Sequence, residues 1–532
     1  MKNLSADLSE SIVEKYIGTQ KIPTEPLLDG EQYRFHFNSE KCISCEACVV
    51  ACSEQNNNPA DVFWRKVGEV ESGVFPYTKR SYLSMSCNHC IEPTCMKGCP
   101  TGAYVKDAKT GIVLHDANMC IGCQYCIWNC PYGAPQYNAE RGVVTKCNMC
   151  YDRLTNGQQP SCVETCPENA ILIEKININD WRNNHAEADA PGMPDANITI
   201  SSTKITLPQN MINTGNKVNT FRIKPEHPHS SLVFFLVFTQ VIVGLFISLF
   251  SFEVFTGYEK SLKNFFANFY IALAISIGFT MIFATLHLGR PLHAYRALKM
   301  WRTSWLSREV LFFGLFLSLV AWIAIIEADS LYFQKFLISK FILFTLKLLS
   351  SFVGLIAVLC SAYIYMTPAR PSWNVRYTVV RFFMTSFILG PLVFITSFLS
   401  FDRLKNLKFL LYSEFFMGLA AIIIAVSLTL TFLLSGYFIY LLQSEKREFK
   451  NTAIMLMGKF RLLFFTRLLL LLVGGVVLPA ILIGGSWAGS NSYFLFLISL
   501  IASINVMIAE ILGRYLFFIT VVPENIAGGF FE

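Results

Sequence analysis

Sixteen of the seventeen cysteines fall into four groups of four between Cys42 and Cys166. Two of these groups have the spacing C-x2-C-x2-C-x3-C, which places three thiolates on one short loop. A cubane [4Fe-4S] cluster takes four thiolates, three from such a loop and one from a distant cysteine. The groups are Cys42, Cys45, Cys48 and Cys52; Cys87, Cys90, Cys95 and Cys99; Cys120, Cys123, Cys126 and Cys130; and Cys147, Cys150, Cys162 and Cys166. Sixteen thiolates therefore predict four [4Fe-4S] clusters.

Zinc is the main alternative, because paired C-x2-C units also build tetrahedral zinc sites. A zinc site is complete with four ligands and has no use for a third cysteine two residues on. Proline follows the last cysteine of three groups, at Pro100, Pro131 and Pro167, as in bacterial ferredoxins, while Ser53 stands there in the first group. We therefore favour clusters over zinc. Disulfides are not expected, since no secretion signal is visible.

The elements that position these cysteines occupy only the first part of the chain. Hydrophobic residues make up 53% of the chain and charged residues 15%, whereas soluble domains carry about 25% charged residues. Eight apolar runs follow the cysteines, and each approaches or exceeds the roughly 20 residues that span a bilayer. The runs cover residues 231–252, 265–287, 309–327, 341–366, 382–401, 412–442, 464–485 and 493–521. Many Lys and Arg lie between these runs, so the net charge of +7 predicts no nucleic-acid partner.

The sequence thus predicts four parts in the chain. Residues 1–32 are a polar extension, in which we expect neither a secretory nor a twin-arginine signal. Residues 33–180 are expected to form an α+β ferredoxin-like domain with four [4Fe-4S] clusters. A polar linker, residues 181–226, leads to an all-α polytopic membrane domain of eight helices, residues 227–532.

The cysteine-rich part resembles the four-cluster iron-sulfur subunit of dimethyl sulfoxide reductase-type molybdoenzymes. The matching stretches include CNHCIEPTCMKGCP and CIGCQYCIWNCP, and the resemblance covers about residues 33–180. It implies that the first and fourth groups share two clusters and that the second and third share the other two. The implied sets are Cys42, Cys45, Cys48 and Cys166; Cys52, Cys147, Cys150 and Cys162; Cys87, Cys90, Cys95 and Cys130; and Cys99, Cys120, Cys123 and Cys126. Some relatives have Trp at the position of Cys123 and hold a three-iron cluster there, so Cys123 implies a cubane.

The membrane part is similar to the anchor subunit of the same enzymes, which is usually a separate chain. The fragments ATLHLGRPLHAYRAL, SREVLFFG, PARPSWN and IAEILGRYLFF carry this resemblance, within residues 226–532. It implies an electron-transfer and membrane-anchor subunit that oxidises quinol, expected to be menaquinol, in the bacterial cytoplasmic membrane. A separate molybdopterin-containing catalytic subunit would receive the electrons. No stretch has room for molybdopterin, so we expect no terminal reductase site on this chain.

Quinol oxidation releases two protons, so its site needs a protonatable group in apolar surroundings near the membrane face that carries the clusters. His287 ends the second apolar run, and Glu309 begins the third on the same face. We expect His287 to act as the base and Glu309 as its partner or as a proton acceptor. The alternative for His287 is a hydrogen-bonded histidine without a ligand. His227 and His229, at the entrance to the first run, are weaker candidates.

Other ionisable residues of the membrane part receive structural interpretations. Glu510 and Arg514 are four residues apart, which favours a self-neutralising ion pair over a proton path. Lys347 is expected to be paired or snorkelling, and Cys360 to be a small packed residue. Haem b is not expected, because every histidine of this part lies near a helix end. These histidines are His227, His229, His287 and His293.

Loop charges predict the orientation in the membrane. Thirteen Lys and Arg, Arg381 among them, are expected on the side of the cysteine domain and seven on the opposite side. The positive-inside rule then places the clusters on the cytoplasmic face. Two rivals remain open. One is an anchor of the polysulfide or nitrate type that translocates protons or reduces quinone, and the other is a zinc-loaded membrane scaffold.

Overall fold

The structure is a computed structural model that describes residues 22–23, 25–73, 75–208, 216–217, 224–257, 259–332, 339–405 and 409–524. The expectation about signals in residues 1–32 falls largely outside these ranges. The chain divides into two compact units, one comprising Met1–Arg222 with Pro523–Glu532 and the other Ile223–Val522. A small α/β unit with the cysteines precedes an all-helical unit, which confirms the predicted fold class.

The first unit is built on a three-stranded sheet with β1 in its centre. β8 pairs with β1 in antiparallel register, with Glu31 opposite Asn177, and β9 pairs with β1 in parallel, with His36 opposite Lys204. Three antiparallel hairpins, β2–β3, β4–β5 and β6–β7, hold six further strands, and β10 pairs with β2 in antiparallel register. The strands are β1 (Glu31–Asn38), β2 (Lys66–Ser72), β3 (Lys79–Met85), β4 (Tyr104–Lys106), β5 (Val113–His115), β6 (Gln136–Asn138), β7 (Val143–Thr145), β8 (Ile171–Asn177), β9 (Lys204–Thr206) and β10 (Asn216–Lys217).

Short helices carry some of the cysteines on their first or second turns. They are α1 (Ala47–Asn56), α2 (Thr94–Gly98), α3 (Tyr125–Asn129), α4 (Tyr151–Thr155), α5 (Ser161–Glu164) and α6 (Ile178–Asn184). Phe35 and Phe37 of β1, with Leu83 of β3, pack with cysteines of the first, second and fourth groups in one buried core. Four buried cysteines therefore pack directly against the apolar side chains of this core.

The expected linker differs from the structure over residues 181–206, which pack on the cysteine domain. Trp181 is buried and its Nε1 donates a 2.7 Å hydrogen bond to the carbonyl of Ser201. Ser202 Oγ donates to the carbonyl of Asn88 at 2.6 Å, and β9 extends the main sheet. The side chains of this segment are polar because they form hydrogen bonds to the backbone of the cysteine loops and do not fill an apolar core. Its composition is therefore the same as that of a flexible connector.

Among its described residues, the second unit has eight helices long and apolar enough to cross a membrane, as predicted. They are α7 (Ser230–Phe255), α8 (Lys263–Leu286), α9 (Trp305–Tyr332), α10 (Lys340–Ile364), α11 (Arg376–Lys405), α12 (Ser413–Gln443), the pair α14 (Arg461–Leu472) and α15 (Leu478–Trp487), and α16 (Ser492–Ile519). A short helix, α13 (Arg447–Met457), lies between the sixth and seventh spans. A π-helical turn, Val473–Val477, joins α14 to α15 just before Pro479, whose missing N–H cannot continue the α-helical ladder.

Two glycines allow α7 and α11 to touch through their backbones. A Cβ on Gly244 would lie 2.0 Å from the carbonyl oxygen of Ser386, and one on Gly390 would lie 2.2 Å from the carbonyl carbon of Gly244. Small residues at such crossings let membrane helices pack closely where no hydrophobic driving force acts between them. This contact fixes α7 against α11.

Candidate cofactor and quinol sites

Two cavities in the first unit are each lined by four cysteines from two sequence groups. One is lined by Cys42, Cys45, Cys48 and Cys166. The other is lined by Cys87, Cys90, Cys95 and Cys130. In both, the fourth cysteine comes from a group distant in sequence, as in two-cluster ferredoxins.

The remaining eight cysteines of these groups also come together in two sets of four. Burial raises the pKa of Cys52, and the neighbouring thiols of the fourth group raise it further. Burial likewise raises the pKa of Cys126, and its closest charged neighbours are thiols of the second and third groups. The two sets are Cys52, Cys147, Cys150 and Cys162; and Cys99, Cys120, Cys123 and Cys126. The structure thus brings together the same four sets that the resemblance implies.

Residues within the C-x2-C loops adopt left-handed backbone conformations that turn the thiols inward. Ser44 has a φ of 58°, His89 of 44°, Gly122 of 69° and Met149 of 59°, one residue in each group. Non-glycine residues rarely adopt such angles, so the same turn in all four groups points to one common loop shape. That shape lets cysteines two residues apart in the chain face one centre.

The donor chemistry of these sets fits iron-sulfur clusters. Burial raises the pKa of Cys42 to about 11 and that of Cys162 to about 12, so the free thiols hold their protons at neutral pH and release them to iron. Among the described residues, no three His, Cys, Asp or Glu side chains lie close enough to share one metal ion. In a cubane, by contrast, each thiolate binds a different iron.

Hydrogen bonds point at the cysteine sulfurs from backbone and side chains. The Sγ of Cys147 accepts from the N–H of Met149 at 3.3 Å, and that of Cys166 accepts from Ala170 at 3.3 Å. Thr199 Oγ1 donates to the Sγ of Cys90 at 3.1 Å. Donors of this kind stabilise the extra negative charge of a reduced cluster, and they are one of the means by which proteins set its potential.

Arg65 is a buried cation between two of the cysteine sets, and no pattern in the sequence indicates it. Its side chain is 2% exposed, and its Nη1 and Nη2 donate 3.1 Å hydrogen bonds to Ser84 and Ser86. Burial opposes the charged form of Arg65, but the sulfurs of Cys162 and Cys48, which carry negative charge once ionised, raise its pKa. Arg65 therefore places a fixed positive charge beside both sets.

Lys146 and His89 occupy a similar place beside the third set. Lys146 is 3% exposed, its Nζ donates to the carbonyl of Cys147 at 2.8 Å, and its charge acts on the Cys87 thiol. His89 Nδ1 accepts a 3.1 Å hydrogen bond from the N–H of Val113, so the ring proton is on Nε2, 4.0 Å from the Sγ of Cys147. Burial lowers the pKa of His89 well below its usual range, which keeps the ring neutral.

In the second unit, the two histidines that begin α7 and end α8 lie near each other. Burial lowers the pKa of His229 to about 3, and the neighbouring His227, His287 and Arg370 lower it as well. Burial also lowers the pKa of His287, the C-terminal residue that caps α8, to about 4. Arg370 is neutralised by an ion pair with Glu226 at 3.2 Å. Both imidazoles are therefore neutral at pH 7 and able to accept a proton.

Glu309 lies one turn into α9 and is 5% exposed. Its carboxyl group faces Ser361 and Cys360 at the end of α10, and Cys360 is buried beside it. Within the part of the chain that the structure describes, Oε1 of Glu309 and Nδ1 of His287 are buried without a hydrogen-bond partner, so these two atoms are not joined to each other. The pairing of His287 with Glu309 therefore stays a prediction, and the charge of His287 also acts on His229.

Comparison with known proteins identifies both halves. The family described as DMSO reductase anchor subunit (DmsC) matches residues 225–519, more than half of the chain. The chain belongs to this DMSO reductase anchor family. A family described as 4Fe-4S dicluster domain matches residues 78–176 of the other half. The chain is therefore an iron-sulfur electron-transfer subunit fused to a DmsC-type anchor.

Curated relatives match the iron-sulfur half. The chain is 40% identical over 197 residues to the probable anaerobic dimethyl sulfoxide reductase chain YnfG of Escherichia coli strain K12, which covers 35% of this chain and 93% of that protein. It is 42% identical over 159 residues to a chain of the anaerobic dimethyl sulfoxide reductase of Haemophilus influenzae, covering 27% and 75%. The thiosulfate reductase electron transfer subunit PhsB of Salmonella typhi is 38% identical over 149 residues, covering 27% and 77%.

The structure contradicts the expected ion pair between Glu510 and Arg514 in the DmsC-type anchor. Glu510 Oε2 accepts a 2.7 Å hydrogen bond from Thr385, and its Oε1 lies 3.8 Å from Nη2 of Arg467. Arg514 instead donates to Gln240 at 2.8 Å. Spacing along one helix predicts that two residues share a face, but neighbouring helices offered both residues closer partners.

Lys347 of the anchor domain is paired, as expected, but its two partners are not evident from the sequence. Its Nζ lies 2.7 Å from both carboxylate oxygens of Glu253 and 2.5 Å from Oε1 of Glu327. Tyr270 donates a 3.0 Å hydrogen bond to Glu253. Glu253 and Glu327 each lie near the end of an apolar run. A carboxylate at such a position can belong to a buried helix end or to a solvated loop, and composition does not distinguish these two locations.

Proposed function

We propose that this chain oxidises a membrane quinol, expected to be menaquinol, and passes its electrons through four [4Fe-4S] clusters to a separate molybdopterin-containing catalytic subunit. The observation that carries this proposal is the convergence of the cysteines into four sets on a chain that also forms a DmsC-type anchor. The names of the relatives, two of them chains of dimethyl sulfoxide reductases, support a catalytic partner of that class.

In the proposed ligand assignment, each set of four cysteines holds one cluster. The sets are Cys42, Cys45, Cys48 and Cys166; Cys52, Cys147, Cys150 and Cys162; Cys87, Cys90, Cys95 and Cys130; and Cys99, Cys120, Cys123 and Cys126. When bound, the clusters supply a series of one-electron carriers. Four cubanes require about sixteen iron and sixteen acid-labile sulfide per chain, which analysis of anaerobically purified protein measures. A content near four zinc with no sulfide would support the scaffold alternative instead.

At the quinol, His287 is proposed to accept a proton from a hydroxyl group as the electrons leave. Burial lowers its pKa, which keeps the imidazole unprotonated at neutral pH and makes it a transient acceptor that readily passes the proton on. Glu309, buried one turn into α9, would receive the proton or hold the second hydroxyl. His229, close to His287, supplies a second neutral acceptor on the same face. Oxidation releases two protons and two electrons, and these residues account for the protons.

The direct test is reduction of the clusters by quinol. The purified full chain, in detergent with a menaquinol analogue, should lose visible cluster absorbance and gain electron paramagnetic resonance signals. Dithionite provides the control, because it reduces clusters without the quinol site. Clusters that respond to dithionite and not to quinol would contradict quinol oxidation by this chain.

For orientation, we propose that the iron-sulfur domain lies on the cytoplasmic face of the bacterial inner membrane. Arg381 lies inside α11 and is buried, so the count on the cluster side falls from thirteen to twelve, against seven opposite. This difference still supports a cytoplasmic iron-sulfur domain. A reporter protein fused after the eighth span should be active in the cytoplasm. A periplasmic signal would reverse the proposed topology.

The energy-conserving alternative also has support. Glu253, Lys347 and Glu327 form a buried ionisable cluster near the opposite ends of the spans from His287. Ionisable groups inside membranes often mark proton routes. Vesicles containing the complete enzyme distinguish the two functions. After a quinol pulse in the presence of the acceptor, the pH of the lumen is measured. A pH change larger than the protons released and consumed by the redox reactions themselves would show that protons are translocated.

A further inference from the structure

Three arginines and one glutamate form a buried cluster in the second unit, which we call the basic cluster. Arg381 of α11 is 5% exposed, Arg467 of α14 is 2% exposed, and Arg514 and Glu510 of α16 are each 0% exposed. Arginine stays protonated in proteins, so three guanidinium groups facing one carboxylate leave two positive charges in excess. An excess charge buried among apolar helices is costly unless an anion compensates it.

The protein itself supplies few acceptors to these guanidinium groups. Arg514 donates through Nη2 to the neutral side chains of Gln240 at 2.8 Å and Thr385 at 3.2 Å. Glu510 offers one oxygen to Thr385 and reaches Arg467 only at 3.8 Å. Tyr377 and Tyr437 also face Arg381, and the Tyr437 hydroxyl donates to the carbonyl of Ser372. Within the described part of the chain, Glu510 is the one carboxylate at ion-pair distance from any of these three arginines.

Six guanidinium nitrogens of the basic cluster are buried without a hydrogen-bond partner among the described residues. They are Nε and Nη2 of Arg381, Nε and Nη2 of Arg467, and Nε and Nη1 of Arg514. Two of the three side chains converge on one point of α16, because a Cβ on Gly513 would lie 2.6 Å from Nε of Arg467 and 2.7 Å from Nη2 of Arg381. Unpartnered donors of Arg381 and Arg467 therefore lie against the same glycine of α16, and Arg514, the next residue of that helix, carries two more. An oxyanion is bound by several such charged donors.

The depth of the cluster favours a phosphate-type ligand. Arg381 is the sixth residue of α11, Arg467 is the seventh of α14, and Arg514 precedes the end of α16 by five residues. At about 1.5 Å per residue, all three lie roughly 8–10 Å inside the ends of their helices. Spans of 27 or 28 residues are about 40 Å long, which matches a bilayer with its headgroup layers. The cluster therefore lies near the level where lipid phosphates meet the hydrocarbon.

We propose that the basic cluster binds one phosphate-type oxyanion, from the headgroup of an acidic phospholipid or from free phosphate. Arg381, Arg467 and Arg514 donate the hydrogen bonds, and Glu510 orients Arg467. Bidentate guanidinium donors recognise phosphate oxygens well. This inference does not depend on quinol oxidation or on the number of clusters, because it concerns a different set of residues.

The first test is native mass spectrometry and phosphorus analysis of the full chain purified in mild detergent. One acidic phospholipid or one phosphate per chain is the expected result. The Arg381→Gln/Arg467→Gln double variant should lose it. Arg461→Gln is the matched control, because Arg461 lies on the same helix as Arg467 and near the same membrane face, but is exposed; this variant should keep the ligand. Wild-type protein with no bound phosphorus would overturn the proposal.

The second test separates the two sources and remains informative if the double variant fails to fold. Thermal unfolding of the wild-type chain is measured with added phosphatidylglycerol, phosphatidylcholine or inorganic phosphate. A rise in midpoint with phosphatidylglycerol alone assigns a lipid headgroup, and an equal rise with inorganic phosphate assigns the free anion. Arg467→Lys keeps the charge but loses the planar fork, and should bind about tenfold more weakly, since a charge-assisted hydrogen bond contributes roughly 1.5 kcal/mol or more. A response equal for all three additives would contradict a phosphate site.

Discussion

Arg65 and Ser84 are joined by a 3.1 Å hydrogen bond from Nη1 to Oγ, and the same hydroxyl lies 3.3 Å from the Sγ of Cys48. A buried cation thus reaches a proposed cluster ligand through one neutral side chain. The same guanidinium acts on Cys162 and Cys52 of the neighbouring set. Both sets experience one permanent positive charge, which favours the reduced, more negative form of a cluster.

We predict that Arg65→Gln lowers the reduction potentials of the two clusters proposed beside it. One charge at several ångströms contributes on the order of 1–2 kcal/mol at an effective dielectric constant of about 20, or roughly 40–90 mV for a one-electron couple. Potentiometric titration followed by electron paramagnetic resonance measures the shift. Arg80→Gln is the control, because Arg80 is exposed and only loosely paired with Glu69 at 3.9 Å. Equal shifts in both variants would exclude a local effect of Arg65.

Cys123→Trp is expected to remove one thiolate from the set formed with Cys99, Cys120 and Cys126. The cluster held there should lose one iron, and the oxidised protein should then show the resonance of a three-iron species with a raised potential. Iron content should fall by about one atom per chain, with the other three clusters unchanged. Cys360→Ser is the matched control, since Cys360 belongs to the membrane unit and to none of the four sets. An intact cubane spectrum in Cys123→Trp would refute the ligand assignment.

His287→Ala should slow cluster reduction by quinol at least about a hundredfold, the usual contribution of a general base. Cluster spectra and reduction by dithionite should stay as in the wild type. His293→Ala, a change in the 3-10 helix Pro291–Leu298 that follows α8, serves as the control and should react at the normal rate. A normal rate in His287→Ala would remove this residue from the mechanism.

The pH dependence of the same reaction follows from the lowered pKa of His287. A protonated imidazole cannot accept a proton, so activity is lost as pH falls through the pKa of the folded protein, about 4. An ordinary histidine titrates near 6.5. We therefore expect no loss of quinol-dependent cluster reduction between pH 7.5 and about 5.5. Stopped-flow absorbance gives the rate, and a half-loss near pH 6.5 would show that His287 is not shielded by burial.

Lys347→Met should destabilise the membrane unit by about 3–5 kcal/mol, because it leaves two buried carboxylates without their cation. Glu253 and Glu327 are the carboxylates, at 2.7 and 2.5 Å from Nζ. A lower midpoint of thermal unfolding in detergent is the expected result. Lys340→Met replaces an exposed lysine at the start of the same helix and should leave the midpoint almost unchanged. If both variants unfold alike, the buried ion pairs contribute little.

Spacing along the chain predicted what depends on local geometry. The C-x2-C loops repeat one backbone turn, so their residue types and intervals indicate the cofactor class, and runs of about twenty apolar residues indicate the spans. Groups brought together from distant segments were not predictable in the same way. Arg65 and Lys146 are ordinary surface residue types, and only the fold buries them beside the cysteines.

The predictions that were wrong concern contacts between segments that are distant in the sequence. Residues 181–206 have the composition of a connector, yet Trp181 and β9 close the cysteine domain. Glu510 and Arg514 share a helix face, but Thr385 and Gln240 from other helices take their hydrogen bonds. The periodicity of a helix determines on which face a side chain lies. Which residue it contacts depends on the neighbouring helices.

The pairing of β9 with β1 also bears on how the protein is made. Synthesis must reach Thr206 before the sheet is complete and Thr199 can cover Cys90, and the first apolar helix begins soon afterwards, at Ser230. Because chains fold from the N-terminus during translation, this sheet can be completed only shortly before the first hydrophobic segment leaves the ribosome. Cluster insertion and membrane targeting therefore fall close together during the synthesis of this fused chain. An iron-sulfur subunit made as a separate chain has no membrane segment that follows it.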